Sequence, residues 1–547
     1  DYGANTASQA VSVNLATGRA NDGMGGTDTL VSIEQARGGA GDDILIGDNN
    51  NNTFRGNGGN DTIDGAGGTS DVADYAFASA TVSVNLATGQ AQDGQGGTDS
   101  LTGIERVYGS AFGDTLIGSD ANDNLRGNAG NDMLDGGAGT ADVAQYGSAT
   151  TGITVNMGTG TVQDGLGGTD SLTGIEQIWG SSYNDSMLGS TGADYFVGST
   201  GADTMVGGAG NDAANYAFYP STSLTASQGV SINLATGVAR DGFGYTDSLS
   251  GIEIIHASSL ADTITGSDAN ETIYGNGGAD SLGGGNGDDQ LYGNSANETL
   301  SGGNGSDQIA GGDAADLLMG DSGADSIYAG NGDDNITGGD GNDLLFGDSG
   351  NDTIAIGTGT DNAFGGDGND LIIVSGDGSF DGQTGTDTLQ FATTGRNITD
   401  AALASSNGIE VIDLAGGGNT LNLSAARVIA LSDTDTLQVF GSGTDSVSFS
   451  DTGWVRGTAS AGFITFTNGG ATVIVAAGLV PALPSATEGN DTLTGTTGHD
   501  SIAALGGNDS VLGLEDQDTI DGGDGNDTIY GGTDDDSLSG GNGDDQI

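Results

Sequence analysis

Acidic residues recur at every ninth position through a long stretch of this chain. From Ala257 to Ile373 the sequence divides into 13 consecutive nine-residue units without an insertion, and the sixth residue of every unit is Asp or Glu. The units follow the pattern GGxGxDxUx, in which U is a large apolar residue in all units but one. Carboxylates repeated at one place of a glycine-rich turn are oxygen ligands, and they predict sites for a hard divalent cation such as Ca²⁺.

The acid places of these nine-residue units, or nonads, are the candidate metal ligands. In the 13 consecutive nonads these acids are Asp262, Asp280, Asp289, Asp307, Asp316, Asp325, Asp334, Asp343, Asp352, Asp361 and Asp370, with Glu271 and Glu298 in the two other units. A second run begins near Glu488 and carries Asp491, Asp500, Asp509, Asp518, Asp527, Asp536 and Asp545. Shorter runs carry Asp43 and Asp61, then Asp114, Asp123 and Asp132, then Asp185, Asp194, Asp203 and Asp212.

The spacing predicts how these acids are positioned. Glycines at the first, second and fourth places allow positive φ in a tight turn, and the xUx that follows is a short strand. Two nonads then form one right-handed coil, so acids 18 residues apart, such as Asp289 and Asp307, stack at the strand spacing of ~4.8 Å. Stacked carboxylates repel one another, and Ca²⁺ between successive turns removes the repulsion. One ion shared between coils two nonads apart predicts roughly 20 ions in total.

The first 256 residues repeat on a longer period. A strand with alternating apolar and polar residues occurs at 11–18 and recurs at 82–89, 153–160 and 230–237. Each copy continues into a glycine-rich acidic turn, a Thr-Asp pair and an Ile-Glu pair, and then into nonads. We therefore expect a strand hairpin alternating with β-roll. The Asp pair and the Glu could form an additional calcium site, or the first Asp could cap the turn through hydrogen bonds to the backbone.

These patterns predict an elongated all-β repeat protein. Parallel β-rolls are expected to alternate with small hairpin or sandwich-like units. The domains expected are 1–73, 74–144 and 145–215, each a hairpin with a short roll; 216–256, a fourth hairpin unit; 257–378, the long roll; 379–484, a separate non-roll β segment; and 485–547, a final roll. In the non-roll segment we expect Trp454 in the core and a hairpin turning at Asn468-Gly469, with Pro481 and Pro484 in the linker that follows.

The nonads resemble the repeats-in-toxin (hemolysin-type calcium-binding) family, whose GGxGxDxUx units form calcium-binding parallel β-rolls. Similar hairpin units occur between rolls in large surface proteins of that family. The resemblance implies a bacterial protein exported by a type I system that reads a C-terminal signal. No such signal is apparent, and the chain stops on the apolar residue of a nonad, Ile547. We therefore expect a segment of a longer polypeptide.

The composition of the chain excludes several classes of binding partner. The formal charge is −67, with 108 glycines, nine arginines, no lysine and no cysteine. Such acidity argues against nucleic acid and anionic membranes, which require clustered basic residues, and no apolar run approaches the ~20 residues of a membrane span. With 34% hydrophobic residues, the alternatives to a cation-held fold are intrinsic disorder or a flexible glycine-rich linker. The apolar residue at every ninth place argues against both.

Signatures of catalysis are scarce. The only histidines are His256 and His499, both expected to face solvent, so an HExxH zinc site does not occur, and neither does a GxSxG elbow. Gly-Asp-Ser-Gly at 320–323 and 347–350 lies in phase with the nonads and is interpreted as turn variation. We expect no enzyme activity in this chain.

Two functions from different classes remain. The first is a secreted structural protein that folds in extracellular calcium and forms a surface layer, a fibre or an adhesin stalk. Its partners would be calcium ions, further copies of itself, and a cell-surface glycan or host surface. The second is the calcium-binding part of an exported toxin or hydrolase whose catalytic domain lies outside this segment. Repetition of modules favours the first.

Overall fold

The fold is almost entirely β. The computed structural model describes residues 2–4, 9–217, 226–457, 459–476, 478–479, 489–495 and 500–547. These residues form two compact units, 1–284 and 285–547. The predictions that concern Pro481, Pro484, Glu488 and His499 lie outside the described residues.

The strands that begin in the first unit are Ser12–Asn14, Arg19–Asn21, Thr27–Thr29, Gln35–Arg37, Ile44–Ile46, Thr53–Arg55, Thr62–Asp64, Val72–Asp74, Ser83–Asn85, Gln90–Gln92, Thr98–Thr102, Arg106–Tyr108, Thr115–Ser119, Asn124–Arg126, Met133–Gly137, Val143–Gln145, Thr154–Asn156, Thr161–Gln163, Thr169–Thr173, Gln177–Trp179, Ser186–Leu188, Tyr195–Val197, Thr204–Val206, Ala213–Asn215, Ser231–Asn233, Val238–Arg240, Thr246–Ser250, Ile254–His256, Thr263–Ser267, Thr272–Tyr274 and Ser281–Asn286.

The second unit has one helix, Ala425–Leu431, among its described residues. Its strands are Gln290–Asn294, Thr299–Asn304, Gln308–Asp313, Leu317–Ser322, Ser326–Asn331, Asn335–Asp340, Leu344–Ser349, Thr353–Ala355, Thr360–Asp367, Leu371–Val374, Asp377–Thr384, Thr388–Phe391, Asn397–Thr399, Val411–Leu414, Thr420–Leu423, Thr436–Gly441, Ser446–Phe449, Val455–Arg456, Phe463–Asn468, Ala471–Ala476, Thr492–Thr494, Ser501–Ala503, Ser510–Leu514, Thr519–Asp521, Thr528–Gly532 and Ser537–Ser539.

The coils of the long roll have the predicted period of two nonads. Leu300 pairs in parallel with Leu318, and Leu318 with Ile336, so strands 18 residues apart are neighbours in one sheet. The intervening nonads form the second sheet, where Ile309 pairs with Ile327. All five side chains are 0% exposed, because alternate residues of a strand point to one face and the U residues point inward. The apolar core is therefore the narrow layer between the two sheets.

Three-stranded meanders, not separate hairpin units, interrupt the nonads of the first unit. Ser83–Asn85, Gln90–Gln92 and Thr98–Thr102 pair antiparallel in sequence. The third of these strands then pairs in parallel with Thr62–Asp64, a preceding nonad strand, and the first pairs with Thr115–Ser119, a following one. The other three copies also contain this meander. In the second, third and fourth copies the roll itself completes both outer edges of the meander, which leaves no free strand edge there. In the first copy the strand Ser12–Asn14 pairs with the roll.

The segment after residue 378 also differs from the expected separate non-roll domain. The nine-residue period ends there, but parallel stacking continues. Leu371–Val374 pairs with Thr388–Phe391, which pairs in turn with Val411–Leu414. The spacing between the paired residues Thr388 and Val411 is 23 residues instead of 18. The longer coils accommodate extra residues while the sheet remains continuous.

Apolar side chains fill these longer coils. The helix begins after Ser424, whose Oγ accepts a hydrogen bond from Arg427 N, and it buries Val428 and Leu431. Trp454 is 5% exposed and stacks on Phe449, with ring centroids 4.1 Å apart. Phe463–Asn468 and Ala471–Ala476 form an antiparallel hairpin across residues 469 and 470. The prediction of a core tryptophan is confirmed. The predicted hairpin is present, but its turn is Gly469-Gly470 instead of Asn468-Gly469, because Asn468 still pairs with Ala471.

The final roll repeats the geometry of the long one. Leu493 pairs with Val511 and Val511 with Ile529 in one three-stranded sheet, and Ile502 pairs with Ile520 in another. Val511, Ile520 and Ile529 form its buried apolar cluster together with Ala504. No helix in the described ranges has the length and apolar character needed to cross a bilayer.

Candidate calcium-binding turns

The acid residues of the nonads form ladders along the turns. Asp307 N donates a hydrogen bond to Asp325 Oδ1 at 2.8 Å, and Asp325 N donates to Asp343 Oδ1 at 3.0 Å. On the other sheet Asp316 N donates to Asp334 Oδ1, and Asp334 N to Asp352 Oδ1, both at 2.8 Å. One carboxylate oxygen of each acid thus binds the backbone of the preceding coil, and acids 18 residues apart are stacked as predicted.

The second carboxylate oxygen has no such partner. Asp325 is 1% exposed, yet its Oδ2 is buried without a hydrogen bond. In the long roll the same holds for Oδ2 of Asp280, Asp307, Asp316, Asp334, Asp343, Asp352, Asp361 and Asp370. In the final roll it holds for Asp509, Asp518 and Asp527. A buried carboxylate oxygen without a donor is costly unless a cation binds it.

Backbone carbonyls face the same space as these oxygens. A Cβ built on Gly320 would lie 2.5 Å from Asp325 Oδ2 and 2.5 Å from the carbonyl oxygen of Gly338 in the next coil. Around Gly338 the built atom would meet Asp343 Oδ2 at 2.6 Å and the Ile356 carbonyl at 2.5 Å. The first glycine of a nonad therefore keeps open a cradle lined by one carboxylate and one carbonyl oxygen. A methyl group would fill it.

Burial and mutual repulsion raise the pKa of several ladder carboxyls. Loss of solvation first, and then the charges of Asp307, Asp343 and Asp321, raise the pKa of Asp325 to about 7. The pKa of Asp352 is also raised to about 7, and in the first unit the pKa of Asp61 rises to about 8 and that of Asp203 to about 9. Without a cation, these turns would retain protons near neutral pH.

The donor set fits calcium. Across the described part of the chain, no group of three or more His, Cys, Asp or Glu side chains converges on one metal position. Any ion in the turns must therefore be held by one or two carboxylates together with backbone carbonyls. Ca²⁺ accepts six to eight such oxygen ligands in flexible geometry, whereas Zn²⁺ favours nitrogen and sulfur.

The RTX calcium-binding nonapeptide repeat model matches residues 37–71, 108–140, 179–213, 247–291, 292–327, 319–354, 485–520 and 512–547, which together cover just over half of the chain. The chain belongs to this RTX family. Its nonads are calcium-binding repeats, as the resemblance in sequence indicated. No curated protein matches the chain.

Every aspartate predicted as a ligand lies in one of the RTX ladders. The ladders of the long roll extend to Asp361 and Asp370, and those of the final roll link Asp491 to Asp545 and Asp500 to Asp536. The short ladders contain Asp43 with Asp61, Asp114 with Asp132 and Asp185 with Asp203, and on the other sheet Asp123 with Asp142 and Asp194 with Asp212, while Asp262 pairs with Asp280 at the start of the long roll. Their role as calcium ligands stays a prediction.

Several ladder members were missed. Asp61 N donates to Asp99 Oδ1, Asp132 N to Asp170 Oδ1 and Asp203 N to Asp247 Oδ1, each at 2.9 Å. These are the aspartates of the Thr-Asp pairs. On the opposite sheet Asp71, Asp142 and Asp212 donate their N–H groups to Glu105, Glu176 and Glu253, the glutamates of the Ile-Glu pairs. Asp387 and Glu410 extend the ladder of the long roll.

The missed aspartates carry a signal in the sequence. Gly97-Thr98-Asp99-Ser100-Leu101 is the second half of a nonad, GxDxU, separated from Asp61 by 38 residues instead of 18 because a meander intervenes. The first Asp of each acidic turn caps that turn, as one of the two alternatives proposed. Asp93 Oδ1 accepts hydrogen bonds from Gln95 N and Gly97 N, both at 2.8 Å.

The remaining candidates are structural. His256 is half-buried, not solvent-facing, and stacks on Tyr274 with ring centroids 4.8 Å apart. Burial lowers its pKa. The Gly-Asp-Ser-Gly stretches lie at the ends of the strands Leu317–Ser322 and Leu344–Ser349 and continue into the next turn, in phase with the nonads.

Proposed function

We propose that this RTX protein is a secreted structural protein whose calcium-bound rolls form a surface layer, an extracellular fibre or an adhesin stalk. The observation that supports it most directly is the repeated buried Oδ2 without a hydrogen-bond donor, as at Asp325 and Asp352. A chain with this many buried carboxylates is unstable until cations neutralise them, so calcium binding and folding are one event.

Export moves the chain from the low calcium concentration of the cytosol to the higher concentration outside the cell. At cytosolic concentrations the acidic turns repel one another and the rolls stay unfolded, which suits passage through a type I exporter. Extracellular modules bind calcium at about 10⁻⁴ to 10⁻³ M, and the chain then folds outside a bacterial cell. Roughly 20 ions would offset about 40 of the 67 negative charges.

Modules repeated through the first unit support a structural role in place of catalysis. Further copies of the chain, and a cell-surface glycan or host surface, are the partners proposed. Electron microscopy of the native assembly, with calcium and after chelation, tests this function. Calcium-dependent sheets or filaments are the expected result. A calcium-saturated monomer, together with hydrolytic activity in the full-length polypeptide, would favour the calcium-binding part of an exported toxin or hydrolase.

A further inference from the structure

The acidic turns of the second and third meanders each bury one aspartate that has no place in a nonad. Asp93 and Asp164 are both 0% exposed. Asp164 Oδ1 accepts hydrogen bonds from the backbone N–H groups of Leu166, Gly167 and Gly168 at 2.8 to 2.9 Å, and Asp93 Oδ1 caps its own turn in the same way. An asparagine would make the same cap without burying a charge. The cap alone therefore does not explain a carboxylate here.

The other oxygen of each aspartate lacks a donor. Oδ2 of Asp93 and of Asp164 is buried without a hydrogen bond, and so is Oδ2 of the ladder residues Asp61 and Asp132. The charge of Asp93 helps raise the pKa of Asp61, after loss of solvation, and that of Asp164 does so for Asp132. Where each meander meets the preceding coil, the capping aspartate and the ladder aspartate each have a buried oxygen without a donor, and the charge of one acts on the other.

A carbonyl oxygen of the roll completes each arrangement. A Cβ built on Gly97 would collide with the carbonyl oxygen of Gly59 and lie 3.0 Å from Asp93 Oδ2. One built on Gly168 would collide with the Gly130 carbonyl and lie 2.8 Å from Asp164 Oδ2. The carbonyl and the carboxylate therefore face the same small space between two stacked turns.

We propose that each of these junctions is a calcium site of a second class, in which the capping aspartate adds a carboxylate that the nonad does not have. One site is formed by Asp93 and the Gly59 carbonyl near the charge of Asp61, and the other by Asp164 and the Gly130 carbonyl near the charge of Asp132. Calcium affinity rises with the number of charged ligands. These sites therefore fill at lower calcium than the nonad turns and fix the meanders in the roll first. The inference rests on the calcium-dependent folding proposed above.

The other two copies provide contrasts. In the first, Asp22 caps its turn through Met24 N and Gly26 N but is only partly buried. The three atoms nearest to a Cβ built on Gly26 all belong to the Asp22 carboxylate, whereas at Gly97 and Gly168 the nearest atom is a carbonyl oxygen of another coil. In the fourth, burial raises the pKa of Asp241 and its Oδ2 is also buried without a hydrogen bond, but the charge of the neighbouring Arg240 opposes that rise in pKa. Tyr245 stands there at the position of Gly97 and Gly168. The proposal is confined to the second and third copies.

The test compares the full chain with the double variant Asp93→Asn/Asp164→Asn, in which the caps are kept. Calcium per chain is measured by inductively coupled plasma mass spectrometry after dialysis against buffers of decreasing free calcium. The double variant should bind about two ions fewer, and those ions should be the last that the unchanged chain releases. Asp22→Asn, the matched control, should bind as many ions as the unchanged chain.

A double variant that binds the full number of ions would overturn the inference. If the double variant does not regain the circular dichroism of the unchanged chain, hydrogen exchange of the unchanged chain decides. Segments 94–97 and 165–168 should then lose protection at lower calcium than the long roll, and the reverse order contradicts the proposal. If the unchanged chain binds no calcium, the proposed function fails instead.

Discussion

The long roll and the coils that follow it share a parallel sheet but stabilise their interiors differently. In the roll, each strand contributes one U side chain, such as Leu318 or Ile336, and the turns contain buried carboxylates whose Oδ2 has no donor. Beyond residue 396 the coils are longer and contain the helix Ala425–Leu431 and the stacked pair Phe449 and Trp454. Coil length sets the room for apolar side chains, and the short coils need cations to compensate for a thin core.

A single aspartate in each region shows the difference. Asp325 Oδ2 has no donor, and its pKa is raised to about 7 by burial and by neighbouring carboxylates. Burial also acts to raise the pKa of Asp445, but hydrogen bonds from the backbone of Ser442 and Asn419 lower it below its usual value. The ionised form of Asp445 is satisfied by the protein itself and needs no cation.

At acid pH, protonation of the ladder carboxylates should stabilise the roll when calcium is absent. The pKa values of Asp325, Asp352 and Asp387 are raised from 3.8 to about 7 in the fold. Their contribution to the stability of the metal-free roll is fully present below about pH 3.8 and is lost as the pH rises through about 7. In EDTA, circular dichroism should show far more β structure at pH 4.5 than at pH 8. Sedimentation velocity must show that the acid form is not aggregated, and equal spectra at both pH values would contradict the prediction.

A cavity introduced into the later coils should lower their stability without changing calcium binding by the roll. Leu431 is 0% exposed, and Leu431→Ala should lower the free energy of unfolding of this region by about 2–5 kcal/mol. Urea unfolding in saturating calcium, followed by Trp454 fluorescence in a Trp179→Phe background, measures the change. Ile429→Ala on the same helix is the control, because Ile429 is 43% exposed. A shift in the calcium midpoint of the roll would break the distinction between the regions.

Loss of one ladder carboxylate, unlike a cavity in the later coils, should weaken calcium binding by the long roll. Asp325→Ala removes the acceptor for Asp307 N and the oxygen that faces the Gly338 carbonyl. A hydrogen bond to a charged group contributes about 1.5–3 kcal/mol, so the calcium midpoint of folding should rise severalfold and fewer ions should bind. Asp381→Ala, outside the nonads, should leave both quantities unchanged. Equal effects of Asp325→Ala and Asp381→Ala would contradict the prediction that the ladder carboxylates are the calcium ligands.

A methyl group in the calcium cradle should have the smallest effect. Gly320→Ala places Cβ between Asp325 Oδ2 and the Gly338 carbonyl, and overpacking of this kind costs about 1–3 kcal/mol. Calcium titration followed by circular dichroism should show weaker binding. Gly443→Ala is the matched control in the later coils, since a Cβ there meets nothing within 4 Å. Unchanged titration of Gly320→Ala would place the ion elsewhere.

The sequence predicted the parts of the fold that depend on local spacing. The apolar residue at every ninth place determines which side chains, such as Leu300 and Leu318, are buried, and the 18-residue coil follows from it. Ladder members across an insertion, such as Asp99 after Asp61, were missed because their pairing depends on where the meander re-enters the sheet. The parallel continuation through Val411–Leu414 was missed for the same reason, since no fixed period marks coils of unequal length.

Hydrogen exchange with and without calcium tests the central claim most directly. In saturating calcium, the backbone amides of both regions of the second unit should be protected. After chelation at pH 8, segments 299–349 should lose their protection, whereas segments 411–441 and 463–476 should keep most of theirs. Protection of the roll that survives chelation would contradict the claim that its buried carboxylates require cations.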